Sequence, residues 1–142
     1  MFAINGQVSK TSDHFFRSMN ERNPWLELTM SERTLVDGVE IVTTDCCVMR
    51  LKVEIRAGMR RVPENQRNGR LTVNSKVASF DRIVQPLKSY TLCFHEQVHA
   101  KYLTFQIIGT SMLEINELKQ ILPADKICHT EDDYRRRGWM WH

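Results

Sequence analysis

The sequence predicts an α+β fold: a single domain in which an antiparallel β-sheet carries two or three helices at its face or ends. Three patterns support it, namely alternation from Cys47 to Ala57, a turn signal at Asp37-Gly38 and a capping box that begins at Ser111. A chain of 142 residues with 42% hydrophobic side chains is long enough for one ordinary core. We therefore expect one domain over residues 1–142, in which the basic and aromatic tail 130–142 is a candidate for flexibility.

The central part of the chain is predicted to form strands. Between Cys47 and Ala57, apolar side chains alternate with mostly charged ones, which is typical of a strand buried on one face. Asp37-Gly38 separates two apolar runs, and glycine readily takes the positive φ of a hairpin turn. Phe2–Val8 is predicted to be a short first strand, and Arg70–Val73 to begin the strand that returns after a polar loop over 58–69.

Two segments are predicted to be helical. Thr11-Ser12-Asp13 offers an N-cap for a helix that Asn23-Pro24 would end, because proline cannot continue a helix and restricts the residue before it. Ser111 and Glu114 form a capping box before apolar residues at helical spacing, and Pro123 would end that second helix.

Positive charge is unevenly distributed along the chain, although the net charge is only +3. The segment from Arg56 to Lys76 contains six basic residues and one acidic residue, Glu64. Three arginines precede Trp139 and Trp141 near the C-terminus. Such clusters favour anionic partners by Coulomb attraction, while tryptophan can stack on bases or anchor at a lipid interface. Solvated loops and a tail docked on its own domain are the alternatives. The predicted polyanion contacts are Arg60, Arg61, Arg67, Arg70, Arg135, Arg136 and Arg137.

The four cysteines are Cys46, Cys47, Cys93 and Cys128, and none belongs to a Cys-x-x-Cys pair. The N-terminus has no signal-peptide pattern, and no apolar run is long enough to span a bilayer. We therefore expect reduced thiols and a cytoplasmic or nuclear protein, with a peripheral position at the inner membrane face as a variant of that location. A thiol–imidazole nucleophile, with Cys93 or Cys128 beside a histidine, is an alternative.

His95-Glu96-Gln97-Val98-His99 is the motif with the most specific chemistry in the chain. On a helix, two histidines four residues apart could bind one zinc ion and Glu96 could act as the base, which resembles a gluzincin metallopeptidase. Glu114 or Glu117 would supply a third ligand. The flanks, however, are rich in Tyr, Thr, Val, Phe and Ile, which favour a strand. We therefore expect no cofactor, and keep a minimal zinc metallopeptidase as an alternative.

The order of elements resembles the matrix proteins of non-segmented negative-strand RNA viruses, especially the rhabdovirus type. The resemblance depends on Phe2-Ala3-Ile4-Asn5-Gly6, on the strand at Cys47 to Ala57 and on the segment from Tyr102 to Ile108. The chain departs from that family because it lacks the acidic, proline-rich N-terminal arm and the PPxY motif. The resemblance implies self-association and binding to ribonucleoprotein and to the inner face of a membrane.

Together these observations predict a non-enzymatic, small basic binding or structural protein that forms a homo-oligomer. Its partner would be RNA, a ribonucleoprotein or an anionic membrane surface, contacted by the arginines and anchored by Trp139 and Trp141. A protein–protein scaffold without affinity for polyanions is a further alternative.

Overall fold

The computed structural model of the protein describes residues 2–3, 8–12, 15–18, 21–45, 47–63, 69–111 and 114–128. Within these residues the regular structure is antiparallel β, apart from one 3-10 turn at Pro123–Asp125. In chain order the strands are β1 (Phe2–Ala3), β2 (Val8–Ser12), β3 (Phe15–Ser18), β4 (Glu21–Arg22), β5 (Trp25–Val42), β6 (Met49–Gly58), β7 (Ser75–Val84), β8 (Ser89–Ile107), β9 (Thr110–Ser111), β10 (Glu114–Ile115) and β11 (Glu117–Ile121). In this part of the chain there is no helix with the length and apolar character needed to cross a membrane.

The main sheet has the strand order β1-β5-β8-β6-β7, and β11 also pairs with β5. Its two long strands each contribute to both halves of the sheet. Trp25–Thr29 of β5 pairs with residues 102–106 of β8, whereas residues 38–42 of β5 pair with residues 89–93 of β8. The register is irregular between these two regions, after Thr29 and again after Val36. Only the second half of β8 pairs with β6, and only the second half of β5 pairs with β11. The sheet therefore bends into two layers.

The core lies between these layers and takes side chains from both. Alternate residues of β6 and residues from both halves of β5 point inward, and so do residues from both ends of β8. Full burial of a leucine, isoleucine or phenylalanine contributes about 1.5–3 kcal/mol, so the shared core is what keeps the layers together. Its most central members are Leu26, Leu28, Val39, Ile41, Leu51, Val53, Ile55, Leu92, Phe94, Leu103 and Phe105.

A second, smaller core covers the outer face of the layer that contains β6. Here the connection between β6 and β7 folds back over the sheet, and Val62 and Leu71 pack with Trp25. The same face carries the buried polar residues Glu54 and Gln106. In the described parts of the connection, 59–63 and 69–74, Val62 and Leu71 therefore anchor the backbone to the sheet while most other side chains are exposed.

A disulfide joins Cys93 of β8 to Cys128, with the two Cα atoms 5.3 Å apart. It lies over Gly38, where an added Cβ would meet the carbonyl oxygen of Leu92 and come within 2.8 Å of the Cys128 Sγ. Cys47 is also disulfide-bonded. The prediction of reduced thiols is therefore wrong for these three cysteines, and the position of Gly38 is restricted by the crossing of the disulfide.

Both helix predictions are wrong, and with them the α+β class. Residues Phe15–Ser18 form β3, which pairs with β2 and β10, while Asp13 lies outside the described residues. The segment after the capping box forms β10 and β11, and β11 pairs along residues 38–42 of β5. The edge of a long strand satisfies the backbone of β11 and buries Leu118, which outweighs a weak local helix preference.

The strand predictions have mixed outcomes. The alternation up to Ala57 is confirmed in β6, although that strand begins at Met49 rather than Cys47. The hairpin at Asp37-Gly38 is wrong because both residues lie inside the continuous strand β5. The returning strand begins at Ser75, after the predicted Arg70–Val73, because those residues belong to the cover over the sheet.

Candidate functional site

The His95-Glu96-Gln97-Val98-His99 motif lies on β8 and not on a helix. His95 and His99 therefore lack the one-turn spacing of a helix that would place both imidazoles on one face. Glu117 is on β11, and the side chain of Glu114 is outside the described set. Among the residues with described positions, no group of three His, Cys, Asp or Glu side chains could hold a metal ion. The geometry that the zinc alternative requires is not present in β8.

The motif does coincide with an irregularity in β8. Between the pairs Val36–Val98 and Gly38–Cys93, one residue of β5 faces four residues of β8. Of these four residues, Phe94 is buried in the core, whereas His95 and Glu96 are exposed beside Lys76 of β7. An open concavity of about 290 Å³ lies there. The motif thus lies at a bulge within one strand.

The arginine-rich stretch neutralises buried carboxylates. The Nε atom of Arg61 lies 3.7 Å from the carboxylate of Glu27, and Arg70 is ion-paired with Glu54. Val62 N–H donates a 2.9 Å hydrogen bond to Glu27. Burial raises the pKa of Glu27, and the Val62 N–H and the charge of Arg61 partly oppose that rise.

These contacts show that some of the predicted polyanion-binding arginines already pair with carboxylates of the protein. Of these arginines, Arg61 and Arg70 pair with Glu27 and Glu54 while their side chains stay more than half exposed, and Arg60 is exposed as well. The remaining members lie outside the described residues, as do both anchoring tryptophans: Arg67, Arg135, Arg136, Arg137, Trp139 and Trp141.

Two connections meet at one end of the sandwich and are hydrogen-bonded to each other. Lys88 N–H donates to the Oγ1 of Thr43 over 2.9 Å, and that hydroxyl lies 2.7 Å from the carbonyl oxygen of Gln85, to which it donates. Leu87 N–H donates to the carbonyl oxygen of Thr44 over 2.9 Å. The hydroxyl of Tyr90 accepts from Gln85 N–H at 2.8 Å. Thr43 and Thr44 are therefore fixed by hydrogen bonds to the connection 85–88.

Leu87 is unusual within the connection 85–88. Its backbone is left-handed, with φ of 52°, and its side chain is 67% exposed. A leucine in this region costs of order 1 kcal/mol, and residues held this way cluster at binding sites. The strain holds an apolar side chain outward at the tip of the turn.

Beside these connections, Arg50 of β6 and Asp81 of β7 form a bidentate ion pair. The Nε and Nη2 atoms of Arg50 lie 3.0 and 2.9 Å from the two carboxylate oxygens of Asp81. The hydrogen bonds from Arg50 hold the pKa of Asp81 below its usual range. A guanidinium group has five N–H donors, so this pair leaves three of them for another acceptor.

Exposed apolar side chains accompany the ion pair. Ile83 lies directly opposite Arg50 in the β6–β7 ladder and is 54% exposed, and Val48 is 56% exposed. We call this area the Arg50 surface: Val48, Arg50, Asp81 and Ile83. Fixed donors and acceptors next to apolar side chains suit a ligand that has hydroxyl groups on one side and C–H groups on the other.

Comparison with known proteins identifies the fold. No protein-family model matches the chain, and no curated protein sequence matches it. An F-lectin (fucolectin) from the serum of the striped bass, Morone saxatilis, superposes with a TM-score of 0.62 at 27% identity, over 75% of this chain and 35% of the lectin chain. The chain thus spans about a third of that lectin's length. It shares the lectin's β-sandwich fold.

Two bacterial modules have the same fold at lower identity. A family 32 carbohydrate-binding module from a family 31 glycoside hydrolase of Clostridium perfringens gives a TM-score of 0.63 at 11% identity, over 84% of this chain and 92% of the module. Another family 32 module from C. perfringens, solved in complex with galactose, gives 0.57 at 16% identity, over 75% and 74% of the two chains. These likenesses overturn the resemblance to viral matrix proteins, and with it the expectation of an RNA or ribonucleoprotein partner.

The sequence did not indicate the Arg50 surface. Arg50 was assigned only to the charged face of a strand, and Asp81 and Ile83 carried no motif. The one local signal was the turn at Gln85-Pro86, which follows an apolar pair and places a connection at the end of a strand.

Proposed function

We propose that this protein is a non-catalytic carbohydrate-binding module and that a saccharide binds at the Arg50 surface. The observation that carries the proposal is the bidentate pair of Arg50 and Asp81 beside the joined connections of a lectin-like sandwich. Binding residues are frequently positioned by a rigid scaffold. Here Arg50 is held by β6 and Asp81 by β7. The lectin and the galactose complex named above support the ligand class.

The chemistry of the surface suits a sugar ring. Arg50 can donate its remaining N–H groups to hydroxyl or ring oxygens, while the ionised Asp81 accepts from sugar hydroxyls. Ile83 and Val48 can contact the C–H face of the ring. Because the ion pair holds both groups in place before binding, little side-chain entropy is lost on association.

The test is binding of monosaccharides and short neutral glycans, with galactose and fucose as first probes, measured by isothermal titration calorimetry after a glycan array. Each charge-assisted hydrogen bond contributes about 1.5–3 kcal/mol, so Arg50→Gln and Asp81→Asn should each weaken binding about tenfold or more. Arg33→Gln, at an exposed arginine of β5, is the matched control and should bind normally. Absence of binding by the wild type, or equal affinity of the Arg50 variant, would overturn the proposal.

The disulfide between Cys93 and Cys128 favours an oxidising compartment over the cytoplasmic or nuclear location expected from the sequence. Disulfides persist mainly in secreted, periplasmic or cell-surface proteins, where most glycans are also exposed. Thiol labelling of native protein taken directly from its source, without added reductant, tests this part of the proposal. Full labelling of Cys93 and Cys128 would contradict it.

A further inference from the structure

A cleft of about 600 Å³ shares no residue with the Arg50 surface, although Ile108 in its lining donates a backbone hydrogen bond to Lys52 of β6. It falls within the usual volume of small-ligand sites. Its walls come from two distant parts of the chain, one at the entry to β5 together with the exit from β8, and the other at the end of the β6–β7 connection. The lining residues are Arg22, Asn23, Gly69, Arg70, Ile108 and Gly109.

One buried amide holds both walls of this cleft. Gln106 is only 2% exposed, and its Nε2 donates to the carbonyl oxygens of Asn23 at 2.9 Å and Gly69 at 3.1 Å. Its Oε1 accepts from Leu71 N–H at 2.9 Å. Both the amide nitrogen and the amide oxygen of Gln106 are therefore hydrogen-bonded to the two walls, and these bonds fix the distance between them.

The first wall is itself rigid and open. Asn23 N–H donates to the carbonyl oxygen of Gly109 at 2.8 Å, and Gly109 N–H donates back to the Oδ1 of Asn23 at 2.8 Å. Both residues have positive φ, 51° and 112°. A Cβ at Gly109 would have no atom within 4 Å, so the backbone there faces open space. Such pre-set backbone geometry is common where a ligand approaches closely.

The cleft is positively charged. Arg22 is exposed on one wall, and the side chain of Arg70 on the other wall is 56% exposed although it pairs with Glu54. Among the described residues that line the cleft none is acidic, and Glu54 is ion-paired with Arg70. Ile108 adds a half-buried apolar contact. Two planar guanidinium groups match the paired oxygens of a carboxylate or a sulfate better than a neutral hydroxyl.

We propose that this cleft binds the anionic group of an acidic saccharide, a uronate carboxylate or a sulfate ester, with Arg22 and Arg70 as its donors. The saccharide part rests on the proposed function, whereas the anion-binding geometry stands independently of the Arg50 surface. The module would then bind two parts of one glycan: neutral hydroxyl groups at the Arg50 surface and a charged substituent in the cleft. Glu54 is a positioning residue for Arg70.

The experiment compares three sets of oligosaccharides by calorimetry at low and physiological salt: galacturonate oligomers, their neutral methyl esters and sulfated galactose oligomers. We expect the wild type to bind at least one acidic set more than tenfold tighter than the neutral esters, with an advantage that shrinks as salt rises. The carboxylated and sulfated arms show which anion is preferred.

The variants separate this cleft from the Arg50 surface. Arg22→Gln and Arg70→Gln should each remove most of the advantage of the acidic sugars while affinity for the neutral esters stays unchanged, and Arg60→Gln on the exposed part of the same connection is the control. Because Arg70→Gln leaves Glu54 without its partner, Arg22→Gln is the decisive variant.

The outcomes distinguish the two proposals. Wild-type affinity of Arg22→Gln for the acidic sugars, or no preference for them by the wild type, would refute the cleft and leave the Arg50 surface standing. Loss of both kinds of binding in Arg50→Gln alone would assign all recognition to the Arg50 surface and also refute the cleft. Acidic binding that depends on Arg22 without any neutral binding would support the cleft and refute the Arg50 surface.

Discussion

Replacing Gln106 by leucine should destabilise the protein strongly, although leucine has a similar size and is apolar. The variant removes three hydrogen bonds, to the carbonyl oxygens of Asn23 and Gly69 and from Leu71 N–H. At roughly 0.5–1.5 kcal/mol for each bond, plus a further penalty for backbone groups left unpaired in the interior, the loss should be about 3–5 kcal/mol. For a chain of this length that corresponds to a fall in Tm of about 6–20 °C.

The assay is urea denaturation followed by tryptophan fluorescence and by far-UV circular dichroism. Trp25 packs with Val62 and Leu71, so its share of the emission, measured in a background with Trp139→Phe and Trp141→Phe, reports on this packing, whereas dichroism reports on the strands. Gln85→Leu is the matched control, because Gln85 is exposed, and it should change the free energy of unfolding by less than about 0.5 kcal/mol. A loss below about 1 kcal/mol in Gln106→Leu would show that the amide does not hold the two walls together.

Three further changes test other parts of the structure. The disulfide closes a loop with a sequence separation of 35, so Cys93→Ser with Cys128→Ser should cost about 4 kcal/mol in the same denaturation assay, and an unchanged midpoint would contradict this. Gly38→Ala should cost about 1–3 kcal/mol through its clash with Leu92 and Cys128, and a wild-type Tm would refute the tight crossing. Burial raises the pKa of Glu27 above 4.5, so its contribution to stability is complete below that pH and is lost as pH rises through the folded-state pKa. The Tm of Glu27→Gln should lack this fall, and parallel pH profiles would count against the burial argument.

The sequence predicted the strand that ends at Ala57 because its pattern is local. Leu51, Val53 and Ile55 alternate with polar residues, and a period of two follows directly from one-sided burial. The helix after Ser111 could not be rejected in the same way, since its apolar spacing also fits β11 once that strand has an edge to pair with. That edge belongs to β5, which lies far away in the sequence.

The candidate sites depend even more on distant contacts. Arg50 and Asp81 are 31 residues apart, and they meet only because the β6–β7 ladder has one particular register. The arginine-rich stretch was correctly seen as a concentration of charge, but its purpose could not be read from composition. That Arg61 and Arg70 reach the carboxylates of Glu27 and Glu54 depends on how the connection folds over the sheet.

The pairing of β5 with β8 has a consequence for how the chain is made. β5 ends at Val42, whereas β8 is complete only at Ile107, so translation must add a further 65 residues before the ladder can close. At about 5–20 residues per second this takes roughly 3–13 s. During that interval an 18-residue strand is without its main partner, and unpaired strands of this kind are prone to aggregate. The β6–β7 hairpin can form during that interval, but β5 cannot pair with β8. The yield of folded protein should therefore depend on chaperones that bind extended segments.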